Sequence, residues 1–359
     1  MGNEEVEEEE VLTPWENFRK KVVQFVEHNY FLIAAVLVII ISAVYPDLGR
    51  NGGPLRTEYS ISYGATCTVF LVAGVTLKTN ALVEALGEFK LNAFIQGHIF
   101  VIVPCIFYAL SLALRSTLND ALVDGVLMLG CLPCTINMCI VMTTSSGGNT
   151  AEALFNATLA NILGIFITPA YVFSTLGVSG DVKFTDVIAS LSLKVILPTA
   201  AGQILQNLPF DAVRNAIINF KPYCKRTQEN CLVLVVYASF STTFYNGVKV
   251  SPGDIFAVLG LMTITQAFIY AGTWYASGLS CLGFGIKSRI PAMFCSTHKT
   301  MAMGIPLISS MYEGDKNIGL YTIPLLLYHP AQIIFGAYFS PRILQLVEKE
   351  EREKEGKDN

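Results

Sequence analysis

Charge is the scarcest property of this sequence. Asp, Glu, Lys and Arg together make up 14% of its 359 residues, against roughly 25% in a soluble domain. Apolar residues reach 52%. That balance excludes an ordinary soluble fold and reads as a polytopic membrane protein, with lipid as its first partner. Basic residues form no stripe and the net charge is only -4, so nucleic acid is not an expected partner. Nine cysteines are present, scattered rather than framed as a disulfide network or zinc site. Several, such as Cys67, Cys105, Cys139 and Cys231, lie in apolar stretches and read as small buried hydrophobes. No metal-ligand spacing marks a catalytic centre, so an enzyme is not expected and no cofactor is implied. The opening MGNEEVEEEEVLTPWENF lacks an apolar core, which argues against a cleaved signal peptide. It also lacks the Ser or Thr that a myristoylation signal prefers.

What the chain does have is apolar runs. A membrane span needs about 20 mainly apolar residues. Ten segments meet or approach that length, at 30–45, 60–77, 91–114, 120–145, 149–176, 185–206, 229–246, 253–281, 290–311 and 318–340. With the N-terminus in the cytoplasm, sixteen Lys and Arg fall on the cytoplasmic side and six on the other; Lys194 and Lys299 lie inside spans. This asymmetry favours ten spans with both termini cytoplasmic. The expected organisation is an acidic tail over 1–29, a first five-helix repeat over 30–176, a second, inverted repeat over 177–340, and a charged, solvated tail over 341–359. The fold class is all-α and integral to the membrane.

The fourth and ninth spans are the weakest, and they hold matching places in the two halves. Paired interrupted spans point to the binding site of an inverted-repeat transporter. In LGCLPCTINMCIV, Pro133 removes a backbone N–H and Gly130 loosens the same turn. Thr135 and Asn137 follow directly, and Asn156, Thr158 and Asn161 lie in the fifth span. Thr135, Asn137, Asn156 and Thr158 are expected to surround one polar pocket that holds a cation weakly. The plainer reading is a proline kink with its polar groups satisfied between helices. Asn149 or Ser146 is expected to cap the fifth span, with Glu152 in its first turn. Asn156-Ala157-Thr158 matches a glycosylation sequon, too deep to be modified.

The ninth span carries CSTHKTMAMGIP, with Ser296, Thr297, His298, Lys299 and Thr300 in a row. Lys299 lies about ten residues into the span, or roughly 15 Å deep. A lysine there costs about 2.5–3.5 kcal/mol on insertion scales, so it must face protein or water. It is either a working charge or a fixed interhelical bond. The tenth span adds His329 and Gln332, where a core histidine bonded to a carbonyl is the plain alternative.

Taken together, NGGPL (51–55), VTLKT (75–79), GGN (147–149), FCSTHK (294–299), GIPL (304–307) and LLLYHPAQI (325–333) resemble the bile acid–sodium symporter superfamily, and within it the divergent sodium/bile acid cotransporter 7 branch. The resemblance spans about 28–342. It implies a panel of helices 1, 2, 6 and 7 facing a core of helices 3–5 and 8–10, with broken helices 4 and 9 crossing at mid-membrane. Sodium-coupled members carry a Gly-Gly–Ser-Asn pattern after the helix-4 proline and a carboxylate with a Gln-Asn pair at helix 9. Here Cys134-Thr135-Ile136-Asn137 and Ser296–Thr300 stand there, with no acid. The resemblance therefore implies a secondary transporter of an organic anion or small solute by alternating access, with atypical or absent sodium coupling, or proton coupling, rather than a bile acid carrier. The alternative is a non-transporting regulator of intracellular calcium that acts through protein partners and bears on Golgi glycosylation and glycosaminoglycan formation. The same resemblance implies a Golgi, endoplasmic reticulum or plasma membrane location.

Overall fold

Helix is the only regular structure in the computed structural model, which describes residues 14–28, 30–76, 88–176, 189, 192–248, 251–313 and 315–358. Apolar segments in lipid leave the backbone no outside partner, so each must satisfy its own N–H and C=O groups by coiling. Besides a single turn at Pro46–Gly49, the helices described are α1 Pro14–His28, α2 Tyr30–Val44, α3 Thr57–Thr76, α4 Phe89–Leu114, α5 Asp120–Cys131, α6 Ile136–Ser145, α7 Thr150–Leu176, α8 192–206, α9 Asp211–Tyr245, α10 Pro252–Ser277, α11 Ile286–Thr297, α12 Met301–Met311 and α13 Ile318–Asp358. Among the described residues, five helices are long and apolar enough to cross a membrane: α3, α4, α7, α10 and α13. The pair α5 and α6 is long and apolar enough only when taken together, bent by 61° at its break as in a broken span or a re-entrant loop, and α2 is a shorter apolar helix. Large apolar side chains project outward from these rods, such as Leu37, Ile40, Phe256, Ile264, Phe268 and Ile334, more than half exposed. In water they would form an untenable patch; in lipid they are at rest.

The helices pack in two sets. One comprises α2, α3, α8 and α9, where α3 lies along α8 and α2 along α9. The other comprises α4–α7 and α10–α13, where α4 packs on α5, α10 on α11, α5 on α13 and α7 on α11. The sets meet mainly where α9 contacts α12 and α13.

One boundary differs from the sequence reading, and both tails carry helix that the sequence reading did not assign. The helix of the seventh expected span, α9, begins at Asp211 rather than near 229. The C-terminal stretch, expected as a solvated tail, continues α13 to Asp358. Pairs Lys349–Glu353 at 3.9 Å and Arg352–Glu348 at 3.7 Å line its surface, and Lys287 reaches Glu351 at 2.6 Å; spacing of this kind supports an exposed helix. The N-terminal tail contains α1, opened by Pro14, whose ring suits the first helical turn. The join between the expected halves, 177–188, and most of the acidic opening lie outside the described residues.

Candidate functional site

Two chain breaks face one another in the second helix set. The first is the extended stretch Leu132–Thr135 between α5 and α6, and the second is His298–Thr300 between α11 and α12. Proline cannot donate at position 133, so the α5 carbonyls lose their usual partners. Each of five consecutive carbonyls finds a donor elsewhere. Lys299 Nζ donates to Gly130 O at 2.9 Å and to Leu132 O at 2.7 Å. Thr168 Oγ1 donates to Cys131 O at 2.8 Å, and Asn161 Nδ2 to Cys134 O at 2.8 Å. The Thr300 N–H donates to Pro133 O at 3.0 Å.

The second break is clasped in return. Thr135 Oγ1 donates to Lys299 O at 2.7 Å. Gln332 holds the same residue at both backbone ends, accepting from Lys299 N–H at 2.9 Å and donating to its carbonyl at 3.2 Å. Gln332 Nε2 also donates to His329 Nδ1 at 2.8 Å. Tyr328 OH donates to Thr297 O at 2.7 Å, and Tyr270 OH bonds His298 Nε2 at 2.6 Å. The whole stretch is sealed: Ser296, Thr297 and His298 have no exposure and Lys299 has 1%. Within it, Ser296 Oγ and His298 Nδ1 are buried polar atoms with no hydrogen-bond partner among the described residues.

The sequence-derived site therefore divides. Pro133, Thr135, Asn161, Thr297, Lys299, Thr300, His329 and Gln332 meet at the crossing, with Ser296 and His298 packed beside them. Asn137, Asn156 and Thr158 do not join that network. Asn137 is exposed on α6, because the helix resumes at Ile136 and turns its side chain outward. Asn156 is fully buried but faces α4, donating to Asn92 Oδ1 at 2.8 Å and accepting from Gln96 Nε2 at 3.1 Å. Thr158 is buried on α7, and Thr135 is already spent on Lys299. The four-residue cation pocket expected from the sequence is thus not assembled. Asn149 does cap α7, accepting from Ala151 N–H at 3.1 Å.

Two features escaped the sequence reading. The first is the pairing of Lys194, which the sequence placed inside an expected span: it is fully buried, with Nζ on Ser62 Oγ at 2.8 Å and on Glu313 Oε2 at 2.7 Å. Both Ser62 and Lys194 sit in π-helical turns, and such turns recur at functional positions. A recess of about 30 Å³ adjoins Ser62 and Glu313, lined by Thr57, Glu58, Ser239 and Ser309 together with apolar side chains such as Ile61, Val235 and Ile318. The second feature is sulfur. Cys134, Cys139 and Cys295 are buried with all three Sγ atoms within 4.8 Å of one another. The signal was present as Cys134 and Cys139, on either side of the start of α6, but Cys295 is too remote in sequence to be joined to them.

Comparison with known proteins follows this geometry. Residues 29–345 match the model of the SBF-like CPA transporter family. Sodium/bile acid cotransporter 7 of Danio rerio is 32% identical over 320 residues, covering 89% of this chain and 94% of that protein. The Rattus norvegicus protein of the same name is 31% identical, covering 90% and 94%. Solute carrier RCH1 of Saccharomyces cerevisiae is 26% identical, covering 92% and 86%.

Proposed function

This chain belongs to the SBF-like CPA transporter family, and we propose that it is a secondary carrier of a small organic anion, working by alternating access with a tethered ammonium where sodium-coupled relatives hold an ion. The observation that carries the reading is Lys299, whose Nζ sits on Gly130 O and Leu132 O, carbonyls freed by the opposing break. A lysine offers three donors and no acceptor. It does there what a small hard cation does among carbonyls. No carboxylate stands in Ser296–Thr300 to balance a mobile sodium ion, which speaks against bile acid transport driven by the usual two-sodium site. Proton exchange at Lys299 is the coupling consistent with this arrangement.

The architecture proposed with it is ten spans in two inverted five-helix repeats. The support is recurrence of contacts. Numbering the spans in chain order, α2–α9 and α3–α8 are the pairs 1–7 and 2–6, exchanged by swapping halves. In the same way α4–α5 corresponds to α10–α11, and α5–α13 to α7–α11. On this reading α2, α3, α8 and α9 form the panel against which the crossing helices move. Both termini then lie in the cytoplasm. Tags at the two ends, probed in sealed vesicles, should be equally accessible from that side; a C-terminus on the opposite face would remove the inverted repeat.

The test of function is thermal stability of the purified protein against sodium, calcium and a panel of organic anions, in wild type and Lys299→Met. A ligand that binds only the folded state must raise stability. Under this proposal an anion stabilises the wild type but not the variant, and sodium shifts neither. Stabilisation by sodium, or an unchanged anion response in Lys299→Met, contradicts it. One observation favours the second reading, a non-transporting calcium regulator: the crossing is closed, with Lys299 only 1% exposed. That reading expects no anion response, and calcium handling in cells that survives Lys299→Met.

A further inference from the structure

We propose that Cys134, Cys139 and Cys295 form a three-sulfur binding site for a cuprous ion at the helix crossing. The three residues come from different elements: the first break, the first turns of α6, and the end of α11. Their Sγ atoms lie within 4.8 Å of one another and all three side chains are fully buried. A metal–sulfur bond of about 2.3 Å in a trigonal array sets the sulfurs about 4 Å apart. The triad is therefore close to the required spacing before any ion arrives. Cys134 Sγ sits beside both of its neighbours in this cluster. The outward bonds of the other two are long, from Cys139 Sγ to Phe294 O at 3.6 Å and from Cys295 Sγ to Ala153 O at 3.8 Å. Weak bonds of this length give little resistance to replacement by metal.

Ligand type and number choose the ion. Thiolate is a soft ligand and selects soft cations such as Cu(I) or Zn(II). Structural zinc is almost always four-coordinate. Among the described residues the metal-ligand cluster here holds three sulfurs and no fourth His, Cys, Asp or Glu. Neither ring nitrogen of His298, the Nε2 bonded to Tyr270 OH or the unpartnered Nδ1, belongs to that cluster, and the enclosure leaves no open face for solvent. Cuprous ion is content with three sulfurs. Charge agrees. Binding of Cu(I) with loss of two thiol protons gives a centre of charge minus one, and the Lys299 ammonium, anchored on Gly130 O and Leu132 O just before Cys134, brings the neighbourhood to zero. The two protons leave to solvent, as metal binding to thiols requires. The ion would tie the first break and α6 to α11, all within one helix set, and so brace the crossing without joining the two sets.

The test uses the full chain purified in detergent under anaerobic conditions, in a Cys105→Ser/Cys281→Ser background that removes the two exposed thiols. Cu(I) is added with a colorimetric Cu(I) chelator as competitor. The expected result is one copper retained per chain, three sulfur neighbours at about 2.3 Å by X-ray absorption, and a raised thermal midpoint. Cys295→Ala should lose the retained copper and the thermal gain. Nitrogen or oxygen ligation in the parent protein, no copper retained against the chelator, or undiminished copper in a folded Cys295→Ala protein overturns the site. Retention of Zn(II) in preference to Cu(I) overturns the assignment of the ion. Should Cys295→Ala fail to fold, the absorption spectrum of the parent protein decides alone.

Discussion

Lys299 shows how a single charge can be accommodated inside a bundle of apolar helices. Its ammonium takes two carbonyls freed by the extended break at Leu132–Thr135, so two separate penalties cancel: a buried cation and a broken helix. Gln332 then fixes the backbone of the same residue at both ends. The two clasps are unequal. Without Gln332 the Lys299 N–H has no remaining acceptor, whereas without Thr135 the Lys299 carbonyl still has Gln332. Leaving a buried donor unpaired costs about 1–3 kcal/mol, against roughly 1 kcal/mol for a hydrogen bond whose partner keeps another. Gln332→Leu should therefore lower the unfolding midpoint in detergent more than Thr135→Val does. The reverse order would mean that the amide is not what holds the second break.

At the scale of elements, close approach of helices depends on absent side chains. α3 and α8 cross at Gly74 and Gly202, where a Cβ on either would strike the other helix's backbone, at Thr199 O or Leu71 O. Small residues let helices meet in lipid, where no hydrophobic force drives them together. Gly202→Val should destabilise the protein by about 1–3 kcal/mol or more, as overpacking does. Gly260, on α10, has nothing within 4 Å of an added Cβ. Gly260→Val should stay within about 0.5 kcal/mol, the range of substitutions that touch nothing. Equal losses in the two variants, read by thermal unfolding, would show that the α3–α8 contact contributes no more than an exposed face.

Across the whole molecule the connection between helix sets matters most. Lys194 on α8 belongs to one set and Glu313, in the turn between α12 and α13, to the other. The pair at 2.7 Å is uneven, since Lys194 is fully buried and the Glu313 side chain is 37% exposed. Removing the carboxylate leaves a buried ammonium with Ser62 Oγ and the Tyr63 ring as its neighbours. Removing both charges leaves no such residue of cost. Glu313→Leu alone should thus destabilise more than Lys194→Met/Glu313→Leu, a sign of coupling that a double-mutant cycle measures directly. Additive losses would show that the sets are not linked through this pair. If the sets move against each other in transport, the same bond must break and re-form, and the double variant should change rate as well as stability.

Sequence alone determined the solvent and the weak points. Scarce charge and long apolar runs fix a helical membrane protein, because lipid accepts no unpaired backbone. Pro133 in one half and the polar run Ser296–Thr300 in the other mark where the rods fail, because proline lacks a donor and polar side chains need partners. What sequence could not decide was which partners these groups find. Asn137 and Asn156 look alike as amides near a break, yet one turns outward and the other bonds α4. Lys194 gave no hint of Glu313, 119 residues away, and Cys295 none of Cys134. Periodicity and depth are properties of a single segment and can be read along the chain. Pairing across helices depends on the rotation of each rod and the angle at each break, and packing of the assembled set decides both.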